Sequence, residues 1–434
     1  MAEIITPALD ARGCAVTGAT ATALDAFEEA FAAFRSWRVG ADALVDQALA
    51  DAPRFVMAHV LKAWLLMGQR HPGRVHGIRP VWAAAVRLRA NERERAHLQA
   101  IAAMLGDDFA RAQALLEAVL RHHPLDLLAL QVLHALDYAS GQTRQLRERV
   151  AAVMPAWHRG LPGYHAVLSM HAFGLEEAGA YERAEEAAYE ALSLDRFDAR
   201  AHHVLAHVFE MTGHGEPGLR WMNEHRAGWA EGTVVANHVE WHLALFDLAR
   251  GDEQSALLRY DRKIRPVSGS GGHIADLIDA SSLLWRLHLR GVDLGSRWAG
   301  LAAAWGPHLE DRFCSFHDVH AMLAFVGARD WTRAHGLERL LSRSRLMPTR
   351  HGETTRLVGL PACRALIAFG LGDDALAISL LASLPAMVHQ LGGSHAQRSV
   401  FHQTLVHASE RSRTPKSQRD AITGDRGVEM ALAR

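Results

Sequence analysis

Lysine is almost missing from this chain: Lys62, Lys263 and Lys416 are the only three among 47 basic residues. Arginine carries nearly all the positive charge, a bias that reads as coding by a GC-rich genome and not as chemistry. The formal net charge is -1, so bulk electrostatics predicts neither a nucleic-acid partner nor an anionic membrane surface. Only three cysteines occur, Cys14, Cys314 and Cys363, far apart and in no Cys-x-x-Cys pair. Neither a disulfide framework nor a cysteine-based zinc knuckle is signalled. The first residues lack the basic-then-apolar pattern of a secretory signal, and no apolar run is read as membrane-spanning. A cytoplasmic location is therefore expected. Strand signals are nearly absent too, with no sustained alternation and no Asn-Gly or Asp-Gly hairpin turn. No Rossmann or P-loop glycine pattern appears, so no nucleotide cofactor is expected. No Gly-x-Ser-x-Gly elbow occurs, and no covalent nucleophile is proposed.

What is present is a helical period. Glycines at the ends of apolar-periodic segments fall at 68, 106, 141, 179, 213, 251, 291, 327 and 370, at intervals of 34 to 43 residues. Such spacing marks stacked helical hairpins. The clearest unit predicts one helix over 181–194, a turn at 195–198 capped by Asp198, and a second helix over 199–211. In the first of these, Ala184, Ala187, Ala188, Ala191 and Leu192 make one stripe. An earlier unit repeats the grammar with helices over 109–122 and 127–140. The expected fold is all-α: a right-handed α-solenoid of about eight or nine helical hairpins, curled far enough, in one version, to enclose a central cavity. The expected organisation is an N-terminal arm over 1–20, one array over 21–408 and a polar, frayed tail over 409–434. A glycine-rich loop at 268–272 and a long loop over 342–359 interrupt the pattern.

On this scaffold lie pairs of histidines and acids at helical spacing. His203, His207 and Glu210 share one face of a helix, as do His238 and His242, with Trp241 beside them, and Asp276 and Asp279. Helical repeats bury alanine and leucine at such positions, and buried polar groups cost stability unless paired, so these residues mark a candidate site. The four histidines suit a transition metal; without one they could serve as bases, with Glu210 and Asp279 as acids or orienting groups. Acids near a helix N-terminus are also favoured without any function. Polar staples between helices or a stacked aromatic belt explain the same residues without a site. Asp318 and His320 stand two apart and diverge on a helix; His320 is preferred, with Asp318 as a cap. His134 occupies the position in its hairpin that His203 occupies in its own. Gln397 and Arg398 follow Gly392-Gly393-Ser394, where a helix begins, and Arg398 could clamp an anion.

The segments Ala201-His202-His203-Val204-Leu205-Ala206-His207-Val208-Phe209-Glu210-Met211, Asn237-His238-Val239-Glu240-Trp241-His242, Asp276-Leu277-Ile278-Asp279, Asp318-Val319-His320 and Gly393-Ser394-His395-Ala396-Gln397-Arg398 resemble the tetratricopeptide repeat protein 38 family. The resemblance spans roughly residues 75–408. It implies an α-solenoid of divergent repeats and no particular reaction. It also singles out His134, His203, His207, Glu210, His238, Trp241, His242, Asp276, Asp279, Asp318, His320, Gln397 and Arg398. The chain departs from the family pattern at His165, His171 and His395, which weakens those three as site residues.

Two functions are consistent with these features. In one, a pocket binds or transforms a small polar molecule by acid–base or metal-assisted chemistry. His203, His207, Glu210, His238, His242 and Asp279 would carry the chemistry, and His134, Trp241, Asp276, His320, Gln397 and Arg398 would hold the substrate. In the other, the array is a scaffold whose concave groove binds a peptide or partner helix. Scarce lysine and prominent histidine and acid favour the pocket. The oligomeric state has no signal.

Overall fold

The computed structural model describes residues 8–68, 72–266, 273–311 and 314–413. Among them the chain is all-helical apart from two dipeptide strands, Ala8–Leu9 and Ala15–Val16, paired antiparallel with Ala8 opposite Val16. The stretch read as an arm is tied down along its described part. Buried Arg12 forms a two-pronged ion pair with Glu28 at 2.9 and 2.8 Å, and the Thr17 amide donates to Glu94 at 2.8 Å. The glycine-rich segment at 268–272 lies outside the described residues, as does the tail beyond Arg413. The final helix, His395–Arg413, runs a few residues past the predicted boundary.

Contacts divide the chain into two compact units. The first takes the described residues up to Ala280, with Pro348–Arg350 and Gly392–Ala396. The second takes Ser281–Met347, His351–Leu391 and the described residues from Gln397 onward. The sequence carries no signal for this division.

In the first unit, helices pack in a repeating way. Tyr181–Leu194 contacts Tyr164–Glu176 before it and Ala199–Met211 after it. Helices two apart in the order also touch: Leu127–Ala139 meets Tyr164–Glu176, and Tyr164–Glu176 meets Ala199–Met211. Ala199–Met211 in turn meets Ala236–Ala249. The four form a row buried on nearly every side; eleven consecutive residues of one, Ala199 to Phe209, are buried. The alternate helices bury a single stripe, as Ala184, Ala188 and Ala191 do on Tyr181–Leu194. That difference is the usual one between a core helix and a surface helix. The 181–194 and 199–211 expectations hold to the residue, and Asp198 caps the second by accepting from the Arg200 and Ala201 amides.

The glycine period holds through the middle of the chain, where Gly213 and its counterparts at 141, 179, 251 and 291 take positive φ just past a helix end. Gly370 breaks it. This residue lies inside Leu360–Leu371, and Gly372 makes the left-handed cap at φ 82°. A Cβ at 370 would stand 2.4 Å from Val326 Cγ1, so that glycine serves close packing. The predicted loop over 342–359 is another correction. Trp331–Ser344 continues as a helix, only a short turn follows, and Arg350–Thr354, a π-helical turn over Thr355–Gly359 and Leu360–Leu371 run on. Gly352, Thr354, Thr355, Val358 and Gly359 are buried there, so tertiary burial overrides the weak local propensity of this segment. The stretch Arg350–Leu371, 22 residues holding an 18-residue window of mean hydropathy 1.2, is long and apolar enough to cross a membrane by length and composition, contrary to the sequence reading. Two thirds of that window (67%) is buried inside the protein, the position of a core helix.

Gly174 lets the backbones of Thr143–Val153 and Tyr164–Glu176 touch: a Cβ there would lie 2.7 Å from the Leu146 carbonyl oxygen and 2.8 Å from Arg147 Cα. Backbone cannot step aside as a side chain can. Gly174→Ala is therefore expected to destabilise the protein by about 1–3 kcal/mol, read as a lower urea midpoint with an unchanged slope.

Candidate functional site

The row of buried helices brings four histidines together. His203 and His207 lie one turn apart on Ala199–Met211, and His238 and His242 one turn apart on the adjoining Ala236–Ala249. Ring centroids are 4.5 Å apart for 203 and 207, 4.4 Å for 207 and 242, 4.9 Å for 238 and 242, 4.9 Å for 203 and 238, and 5.3 Å for 203 and 242. The Nε2 atoms of His203 and His207 approach to 3.0 Å. One ligand nitrogen from each of the four rings fits within 4.8 Å of every other.

Carboxylates stand behind these rings. Nδ1 of His238 lies 3.0 Å from both oxygens of Asp279, and Nδ1 of His242 lies 2.8 Å from Glu210 Oε2. With Nδ1–H donating to a carboxylate, the lone pair of each of these rings resides on Nε2. Nδ1 of His207 faces Glu176 Oε2 at 3.7 Å, an ion-pair distance too long for a hydrogen bond. His203 differs: its Nδ1 is buried without a hydrogen-bond partner, and its ring lies between Phe173 (5.9 Å) and Trp37 (5.5 Å). Trp241 stacks on His238 at 5.2 Å with an 11° interplanar angle. Asp276 is a further step out; burial raises its pKa, a bond from Asn237 opposes that, and repulsion by Asp279 adds to it.

The environments push two of the imidazoles in opposite directions. Burial first, then the neighbouring His207, His238, His242 and Arg200, hold His203 well below its ordinary value, so it is neutral at pH 7. Burial also opposes charge on His238, but the charge and hydrogen bond of Asp279 outweigh it and raise the pKa.

Other predicted residues stand elsewhere. His134 is on the same row but outside the cluster: its Nε2 donates to the Met170 carbonyl at 3.2 Å, and Phe173 touches it on one side and His203 and His207 on the other. His320, Gln397 and Arg398 belong to the second unit, all buried. His320 Nδ1 donates to the Phe316 carbonyl at 2.7 Å, and burial lowers its pKa to about 4. Asp318 is no cap: Ser315–Gly327 begins three residues earlier, and Asp318 accepts from His351 Nε2 at 2.9 Å. Both Asp318 and His320 are buried because that helix is buried all round, which removes the angular argument against the pair. Among the weaker candidates, His165 Nδ1 binds Asp198 at 2.8 Å, and the His395 amide donates to Glu177 at 3.1 Å.

Sequence reasoning missed Glu176, Glu177, Trp37 and Arg200. Glu176, Glu177 and His207 are all buried and form a second group able to offer a metal three ligand atoms. Two glutamates at a helix C-terminus oppose the helix dipole, and that was the available signal. Trp37 and Arg200 had none. No protein-family model matches the chain.

Because the fold holds His134 neutral down to about pH 3, chiefly through burial and then through Arg200, its stabilising contribution is complete above the unfolded value of 6.5 and declines as the pH falls below that. The metal-free protein should lose about 2 kcal/mol from this group by about pH 5. His134→Gln keeps a donor for Met170 but cannot ionise, so its urea midpoint should fall less steeply with acid than that of the wild type. Parallel profiles would contradict the assignment.

Proposed function

We propose that this chain is a divergent tetratricopeptide-like solenoid of the protein 38 type. Its row of buried helices holds one divalent transition-metal ion on His203, His207, His238 and His242, and acts through it on a small polar molecule. The observation that carries this reading is the convergence of four ring nitrogens within 4.8 Å. Two nitrogens bound side by side to one ion at about 2.1 Å stand about 3.0–3.4 Å apart, and the closest pair here is at 3.0 Å. All-imidazole donors suit zinc, copper, iron or nickel better than magnesium or calcium.

The acids have orienting roles in this reading. Asp279 and Glu210 fix the tautomers of His238 and His242 and raise their basicity, as carboxylates behind metal-bound imidazoles do. Glu176 faces His207 in the same sense. A bound ion would supply Lewis acidity and lower the pKa of a coordinated water. His134 moves from the substrate group to the packing behind Phe173, and His320, Gln397 and Arg398 are left out. A peptide-binding scaffold is the weaker alternative, because residues reading peptides stand exposed along a groove, whereas these side chains are at most 18–20% exposed.

Metal analysis of the purified protein, followed by cobalt(II) loading of the stripped chain, tests the reading. About one ion per chain and a visible cobalt d–d band are expected. Asp279→Asn and Glu210→Gln should each weaken metal binding about 10–100-fold, and His203→Ala should abolish it. Trace amounts of several metals, with no cobalt band, would remove the metal from the proposal.

A further inference from the structure

We infer that Arg200 and Trp37 form an oxyanion-binding wall beside the four-histidine cluster, so that the molecule taken there carries a small carboxylate or phosphate group. This deepens the function proposed above and rests on it for the location of the chemistry.

Arg200 is 5% exposed. Among the described residues its Nε is buried without a hydrogen-bond partner, and the one acid whose charge reaches it is Asp198. That acid is committed elsewhere: Asp198 Oδ2 takes His165 Nδ1 at 2.8 Å, and Oδ1 caps the helix through the Arg200 and Ala201 amides. A guanidinium so placed lacks the carboxylate that normally accompanies a buried charge. Its charge is felt at the cluster: Arg200 contributes to lowering the pKa of both His203 and His134. A second negative group is the missing element, and a bound anion supplies one.

The second observation is Trp37. The Arg200 guanidinium lies over its indole, 4.4 Å from the ring centroid, and the same indole lies 5.5 Å from the His203 ring. One aromatic plane thus holds the cation next to the cluster. Trp37 does this from a left-handed backbone conformation, φ 58°, which a bulky residue adopts only when its surroundings enforce it. The enforcement is visible: the Trp37 carbonyl accepts from the Val234 amide at 2.9 Å, the Val39 amide donates to Gly232 at 3.0 Å, and Arg38 bridges Thr233 between them. Trp37 is itself only partly buried, so the wall reaches the surface. Arginine and not lysine suits the role, because its planar fork stacks on indole and binds two oxygens at once.

Calorimetric titration with inorganic phosphate, succinate and uncharged succinamide tests this, using metal-loaded and metal-free protein. Phosphate or succinate should bind the wild type at one per chain in the micromolar to millimolar range, and succinamide at least about tenfold more weakly. Arg200→Gln should cost at least about tenfold in anion affinity with metal content unchanged. Arg200→Lys keeps the charge without the fork, should weaken the anion less, and carries the test if the glutamine variant does not fold. Succinamide binding as tight as succinate, variants that bind anions like the wild type, or no anion binding by the wild type in either form would overturn the inference. Loss of metal with anion binding intact would count against the metal alone.

Discussion

Burial on all sides governs the middle of this protein. The helix Ala199–Met211 has no solvated face along most of its length, so each polar group on it must find a partner within the protein or cost stability. Carboxylates therefore come from neighbouring helices. Asp279 reaches His238 across 41 residues of chain, Glu210 reaches His242 across 32, and Glu176 faces His207 from the preceding helix of the row. The alternate helices, with one solvated side, are under no such demand and bury a narrow apolar stripe, Ala184, Ala188 and Ala191 on Tyr181–Leu194 and Leu146, Val150 and Val153 on Thr143–Val153.

The same demand makes the four imidazoles inequivalent. Where a carboxylate backs a ring, its tautomer is set and the charged form is supported, as at His238. Where aromatic rings surround it, as at His203, burial and like-charged neighbours favour the neutral form. Titratable groups driven apart in this way within one cluster are the arrangement that acid–base and metal sites share.

Much of this was legible without a structure. Asp198 as a cap, the helices on either side of it and the shared faces of 203 with 207 and 238 with 242 all follow from local rules, and all hold. Other features go beyond local rules. The segment 342–359 looked like a loop because it contains Pro348, Gly352 and Gly359, yet burial makes most of it helical. His134 lies on the same row as His203, as its place in the hairpin suggested, and Phe173 contacts both rings. The division into two units has no counterpart in the glycine period.

The sequence by itself determined what depends on neighbours three or four residues away: helical class, caps, turn positions and the histidine pairs. Those follow from a 3.6-residue period and a few backbone preferences. Tertiary structure alone decided which pairs meet, which acids stand behind them, and that Trp37 and Arg200, 163 positions apart in the sequence, share one edge of the cluster. Contacts of that kind depend on how whole helices pack, and no local period encodes them.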